Sequence, residues 1–167
     1  MTERTDLVPG APCPPFDMPL DQGGRVSLES LRGRPFVLYF YPKDDTSGCT
    51  REAVAFSERH AAFEALGVPV IGVSRDSLER HRRFREKHGL EVALASDETG
   101  AVTEAFGVWV EKSMYGRRYM GIERATFLVD AEGRIHRVWR KVKVPGHAEA
   151  VLAAARELVE GKPEVSR

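Results

Sequence analysis

Apolar residues along the chain follow three different spacings, and each predicts a different element. Phe16, Met18 and Leu20 alternate with Asp17, Pro19 and Asp21, the chain turns at Gln22, Gly23 and Gly24, and apolar residues resume at Val26 and Leu28. Period-two patterning on both sides of a glycine turn predicts a small N-terminal hairpin. Residues 35–41 are a run of β-formers without alternation, which suits a strand covered on both faces. From 49 to 66, Ala53, Phe56, Ala62, Phe63 and Leu66 fall at helical spacing before Gly67, which predicts one helix with a glycine C-cap.

Residues 68–73 predict a second buried strand. Asp76 and Glu79 have capping-box spacing and open a helix that carries Leu78, His81, Phe84 and His88 on one face and closes at Gly89. A short strand follows at 92–95, a short helix at 100–106 and a strand at 125–129, then a turn at 130–133 leading into Ile135, Val138 and Trp139. Val151, Leu152, Ala155, Leu158 and Val159 form a last helical stripe ended by Gly161. The order β-β-β-α-β-α-β-α-β-β-α is that of an α/β layer fold. It predicts a single domain over 12–161, a flexible N-terminal tail at 1–11 and a C-terminal tail at 162–167.

Composition narrows the function. A chain of 167 residues is about one domain long. Its 25 basic residues balance 25 acidic ones, so it lacks the positive footprint of a nucleic-acid binder. The longest strictly apolar run, 36–41, is far short of the roughly 20 residues that span a bilayer, so no membrane partner is expected. Residues 1–7 include Glu3 and Asp6 and no apolar core, so they do not read as a signal peptide and a cytoplasmic location is expected. The two cysteines, Cys13 and Cys49, are too few to staple a secreted fold and too far apart for a metal knuckle. The five histidines, His60, His81, His88, His136 and His147, contain no HxxxH pair, so neither metal nor cofactor is expected and they read as helix-surface residues. Arg80, Arg82, Arg83, Arg85 and Lys87 are interspersed with Glu79 and Glu86 and read as a solvated face.

Chemistry concentrates where the strand at 35–41 hands over to the next helix. Ligands of open α/β sheets bind at the carboxyl ends of strands, and Cys49 falls in the first turn of that helix, where free amides and the helix dipole favour a thiolate. Read alone, a lone cysteine is more often an inert buried residue, so both readings stand on the residues themselves.

The surrounding motif resolves the choice. Pro42, Thr46 and Cys49 spell PxxxTxxC, the signature of the peroxiredoxins. The stretch YPxDxTxGCTxEA at 41–53 and the pattern KxMYGRxYMGIERxTFLVD at 112–130 resemble the bacterioferritin comigratory protein, or PrxQ, subfamily, with similarity from about residue 10 to 160. The resemblance implies a thioredoxin fold with an N-terminal hairpin and an inserted segment, and thiol-dependent reduction of hydrogen peroxide and organic hydroperoxides. By the same resemblance Cys49 would be the peroxidatic cysteine that becomes a sulfenic acid. Thr46 would offer its hydroxyl to the peroxide, Pro42 would shield the sulfur, and Arg124 would stabilise thiolate and developing oxyanion. Glu52 would orient Arg124, and Gly48 would present its amide. In any thiol, a pKa fall from about 8.5 to about 6 raises the thiolate fraction at pH 7 about thirtyfold, while the weaker nucleophile loses about tenfold. Most of a large acceleration must then come from donors aimed at the peroxide oxygens.

The chain departs from its relatives at the second cysteine. The two positions where such proteins carry a resolving cysteine are Val54 and Arg85 here, which leaves Cys13, between Pro12 and Pro14, as the remaining candidate beside an incidental role. A one-cysteine cycle is therefore expected, with a thioredoxin-, glutaredoxin- or glutathione-type thiol as reductant, in a monomer or weak homodimer. A disulfide oxidoreductase would need CxxC, but 49–52 read Cys-Thr-Arg-Glu. A cysteine hydrolase would need a histidine such as His60 or His147 beside Cys49. A non-enzymatic redox sensor or holdase chaperone would use the same oxidised cysteine. Trp109, Met114, Tyr115, Tyr119 and Met120 flank a glycine-containing loop that would wall the peroxide entrance, with core packing the other reading of Trp109.

Overall fold

The computed structural model describes residues 7–161. A hairpin of β1 (Asp17–Pro19) and β2 (Arg25–Ser27) opens the chain, with Met18 opposite Val26. Next come the fully buried strand β3 (Phe36–Phe40) and two helices, α1 (Ser47–Glu58) and α2 (His60–Leu66). The chain continues through β4 (Val70–Ser74), α3 (Leu78–His88), β5 (Ala93–Ser96) and α4 (Ala101–Ala105). A second hairpin, β6 (Trp109–Met114) and β7 (Arg117–Ile122), precedes β8 (Ala125–Val129), β9 (Ile135–Trp139) and α5 (His147–Glu160).

Five strands form one mixed sheet in the order β5-β4-β3-β8-β9. The first three are parallel and joined through helices, while β8 is antiparallel to both β3 and β9. This is the thioredoxin-type sheet that the resemblance implied. β3 reads as a continuous apolar run because it serves two cores. Phe36, Leu38 and Phe40 pack on one face with Phe16, Met18, Val102 and Phe106. Val37, Tyr39 and Tyr41 pack on the other with Ala53, Phe56, Phe84 and Val151. Each large side chain so buried contributes about 1.5–3 kcal/mol. Gly72, opposite Tyr39 on β4, makes room for its ring, since a Cβ there would stand 2.7 Å from the phenol oxygen.

Several local expectations are corrected. The helix expected over 49–66 breaks at Arg59 (φ −105°, ψ 12°), which caps both α1 and α2 without glycine or proline. α3 is capped by the Ser77 hydroxyl, which accepts from the Arg80 amide, because the Asp76 carboxylate is taken up by the Ser74 hydroxyl and the Asp44 amide. The segment expected as a loop around Tyr115 is the β6–β7 hairpin, turned by Tyr115 (φ 53°) and Gly116 (φ 79°). Trp109 lies beneath the Arg75 guanidinium, 3.4 Å from its ring centre, while Tyr115 is 95% exposed. His81 and His147 are buried rather than on helix surfaces, and His136 lies exposed on a strand. Arg85 leaves the solvated face to bind both oxygens of Asp21 and the carbonyls of Leu90 and Val92.

Part of the expected N-terminal tail is docked: Gly10 donates to the Ile135 carbonyl at 2.8 Å, and Leu7 packs on the core. Residues 1–6 and the C-terminal tail at 162–167 lie outside the described residues. Among the described residues no helix is long and apolar enough to cross a membrane.

Candidate active site

β3 delivers the chain through Tyr41 and the half-buried Pro42 to an exposed turn and then to α1. Thr46 is the N-cap residue, with extended backbone (φ −97°, ψ 158°), and the Thr50 amide bonds its carbonyl at 2.8 Å. The amides of Gly48 and Cys49 precede that bond, so they have no acceptor within the helix and are donors at its positive end. Cys49 lies in this first turn and is only 1% exposed.

Arg124 comes to the same place from the neighbouring strand, 75 residues along the chain. Pairing sets Ala125 of β8 opposite Phe40 of β3, so the residue just before β8 arrives at the end of β3 where α1 begins. Its Nη2 donates to Cys49 Sγ at 3.4 Å and its Nη1 to Glu52 Oε1 at 2.7 Å. Glu52 lies three residues beyond Cys49 on α1, on the same face. Gly48 permits the approach, since a Cβ there would be 3.1 Å from Arg124 Nη2.

The electrostatics follow from burial. Burial opposes the charge of Arg124, but Cys49 and Glu52 outweigh it and raise the pKa of its guanidinium. Burial pushes the Glu52 carboxyl up to about 7 even beside Arg124, and its Oε2 has no hydrogen-bond partner. Burial, then the charge of Arg124, pushes His147 down to about 4, and its Nε2 pairs with the Thr126 hydroxyl at 2.8 Å. That histidine is neutral and turned to Thr126. His60 sits beside Glu64 on α2, lining a pocket of about 320 Å³ with Pro69 and Val70 at the other end of the sheet. The hydrolase reading thus lacks a base, since the side chain hydrogen-bonded to Cys49 is Arg124.

Thr46 Oγ1 donates to the Lys43 carbonyl at 2.8 Å, which leaves its lone pairs free to accept. Lys112, on β6, is a further charged group that feels Arg124 and that sequence reasoning did not single out. Its stem crosses Gly121 so closely that a Cβ there would be 3.2 Å from Cδ, and burial followed by the charge of Arg124 lowers the pKa of its ammonium. The only signal for it was its place at the head of the motif at 112–130.

The structure gathers Pro42, Thr46, Gly48, Cys49, Glu52 and Arg124 at one end of β3. It does not bring Cys13 to them. Cys13 packs with Phe36 and Leu38, while Cys49 packs with Val37 and Tyr39 on the opposite face. Its amide bonds the Gly133 carbonyl in the turn between β8 and β9, beside the start of β3. The five residues of β3, four steps of about 3.3 Å or roughly 13 Å, separate that end from the loop before Cys49, and a disulfide needs Cα atoms within about 7 Å. Burial pushes the Cys13 thiol up to about 12. Val54 is half-buried on α1 and Arg85 is held in its ion pair with Asp21.

Residues 9–138 match the model of the AhpC/TSA family. The chain is 46% identical to peroxiredoxin Bcp of Bacillus subtilis over 151 residues, covering 90% of this chain and 96% of that one. It is also 46% identical to peroxiredoxin Bcp of Xanthomonas campestris, over 91% and 96% of the two chains. Among solved structures, Peroxiredoxin Q of Xanthomonas campestris superposes with a TM-score of 0.82 at 44% identity, covering 86% of this chain and 91% of that one. A mutant PrxQ of Xylella fastidiosa gives 0.86 at 38% identity, over 92% and 98%. These matches cover most of the chain and of each relative, so the chain belongs to the AhpC/TSA family as a peroxiredoxin of the bacterioferritin comigratory, or PrxQ, kind, a thiol-dependent peroxidase.

Proposed function

We propose that Cys49 is the peroxidatic residue of this peroxidase and that it works without a second cysteine of its own chain. The Cys49 thiolate attacks one oxygen of ROOH, the O–O bond breaks, and RO⁻ leaves and takes up a proton. Sulfur is oxidised by two electrons to a sulfenic acid and the peroxide is reduced by two. Arg124 and the amides of Gly48 and Cys49 supply the donors that stabilise the developing charge, Thr46 accepts from the peroxide O–H, and Pro42 flanks the sulfur. Glu52 holds the guanidinium in place. The observation that carries the reading is the 3.4 Å contact between Arg124 Nη2 and Cys49 Sγ.

An external thiol then attacks the sulfenic sulfur and expels water. A second thiol displaces Cys49 from the mixed disulfide and leaves as the oxidised reductant, which closes the balance. The position and burial of Cys13 support this cycle. Thioredoxin, glutaredoxin or glutathione would each supply the two thiols, in a monomer or weak homodimer in the reducing cytoplasm. Organic hydroperoxides stand beside hydrogen peroxide as substrates, and a Xanthomonas campestris bacterioferritin comigratory protein at 44% identity has alkyl peroxide reduction activity. Cys49→Ser tests the assignment: peroxide consumption should vanish with the circular dichroism spectrum unchanged, and residual turnover would move the chemistry elsewhere.

A further inference from the structure

The turn that carries Thr46 to the start of α1 is fastened to α3 by two adjacent aspartates. Asp45, with φ at 61°, accepts from Lys87 Nζ and His88 Nε2, each at 2.8 Å. Asp44 is buried. It accepts from the Tyr41 hydroxyl at 2.6 Å, and its other oxygen lies 2.6 Å from His81 Nδ1. His81 is 0% exposed, and its Nε2 lies 2.9 Å from the Ala95 carbonyl on β5.

A carbonyl oxygen can only accept, so Nε2 carries a proton. The contact between Nδ1 and Asp44 then needs a proton of its own, on one atom or the other, because otherwise a nitrogen lone pair would face a carboxylate at 2.6 Å. The pair therefore holds one shared proton. Losing it would leave two acceptors in contact and an unbalanced negative charge out of water. The groups facing His81 are Asp44 and Tyr41 from the end of β3 and its turn, Asp76 from the segment after β4 and Ala95 from β5. Asp76 also accepts the Asp44 amide at 2.9 Å and is itself paired with Arg80. Burial opposes the imidazolium, but Asp44 outweighs it and holds the proton above the ordinary histidine range.

We infer that His81 is a positioning residue for peroxide reduction: the proton it shares with Asp44 fixes residues 43–46, and its loss in alkaline solution releases the turn and carries the Thr46 hydroxyl out of place. The inference rests on Cys49 as the peroxidatic residue. It acts through Thr46 and the first turn of α1, since His81 itself bonds Asp44 and Ala95 rather than the thiol.

The test is the second-order rate of the first peroxide reaction against pH, by stopped flow, for the parent and for His81→Gln. It is paired with the NMR signal of the shared proton, downfield of the backbone amides. The parent rate should fall along an alkaline limb whose midpoint matches loss of that signal. His81→Gln, whose amide still donates to Asp44 but does not titrate, should react within about tenfold of the parent at neutral pH and lack the limb. A parent rate that stays level through loss of the signal overturns the inference, as does the same limb in His81→Gln. If the variant does not fold, the two midpoints in the parent decide. A parent that does not react with peroxide at any pH overturns the Cys49 assignment, and this inference with it.

Discussion

Arg124 meets Cys49 and Glu52 with the two ends of one guanidinium, Nη2 at 3.4 Å from the sulfur and Nη1 at 2.7 Å from the carboxylate. A lysine keeps the charge but is a single point donor that cannot hold both partners in that fork. Arg124→Lys should therefore slow the single-turnover reaction with hydrogen peroxide by about 10²- to 10³-fold, the size of losing one oxyanion donor. Stopped-flow measurement checks this, and a loss of threefold or less would remove Arg124 from the chemistry.

Gly48→Ala probes the same fork from the other side. The added methyl would stand 3.1 Å from Arg124 Nη2, so the guanidinium must shift away from the sulfur while the helix backbone stays as it is. A rate loss of about tenfold or more with an unchanged thermal midpoint is expected, since small displacements at a reacting centre can cost up to about 10²-fold. An unchanged rate would show that the amide alone matters at this position.

Thr46 separates acceptor from packing. Thr46→Val keeps the shape but removes both the bond to Lys43 and the lone pairs, and should raise the barrier by about 1–3 kcal/mol, the cost of leaving the peroxide O–H unpaired. Thr46→Ser should recover most of the rate. Equal loss in both variants would make the residue a structural element of the turn.

Two buried groups impose opposite pH dependences on stability. Glu52 has a folded pKa of about 7 against an ordinary 4.5, so its contribution is fully present below about 4.5 and is lost as pH rises through about 7. His147 is lowered from 6.5 to about 4, so the unfolded chain takes up a proton there that the folded chain refuses, and stability falls as pH drops from 6.5 towards 4. Urea unfolding across this range should show Glu52→Gln gaining on the parent as pH rises from about 4.5 to about 7. His147→Gln should lose the acid-side decline. Parallel curves for parent and variants would contradict both assignments.

The candidate site was legible in the sequence because most of its signals are local. A two-faced apolar strand, a turn and a helix-start cysteine lie within 35–53. Only Arg124 had to be brought from afar, and its motif marked it. The parts that escaped reading depend on distant partners or on unusual turns. His81 sits in a run of charged residues and is buried only because Asp44, 37 positions away, comes to meet it. Arg85 is drawn inward in the same way by Asp21. The β6–β7 hairpin has a mostly exposed surface of Met, Tyr, Arg and Lys, so no alternation announces it, and its turn uses Tyr-Gly in place of the commoner Asn-Gly. The break at Arg59 carries no glycine or proline, and the apolar stripe runs straight across it from Phe56 to Phe63.

In the proposed cycle Cys49 alone carries the oxidised state. Intact mass of the parent and of Cys13→Ser after one equivalent of hydrogen peroxide tests it most directly, with the modified peptide identified. The expected result is a gain of one oxygen atom on the peptide containing Cys49 in both proteins, reversed by an external thiol with full return of activity. Loss of two hydrogens in the parent but not in Cys13→Ser, or an oxygen on any other residue, would contradict it.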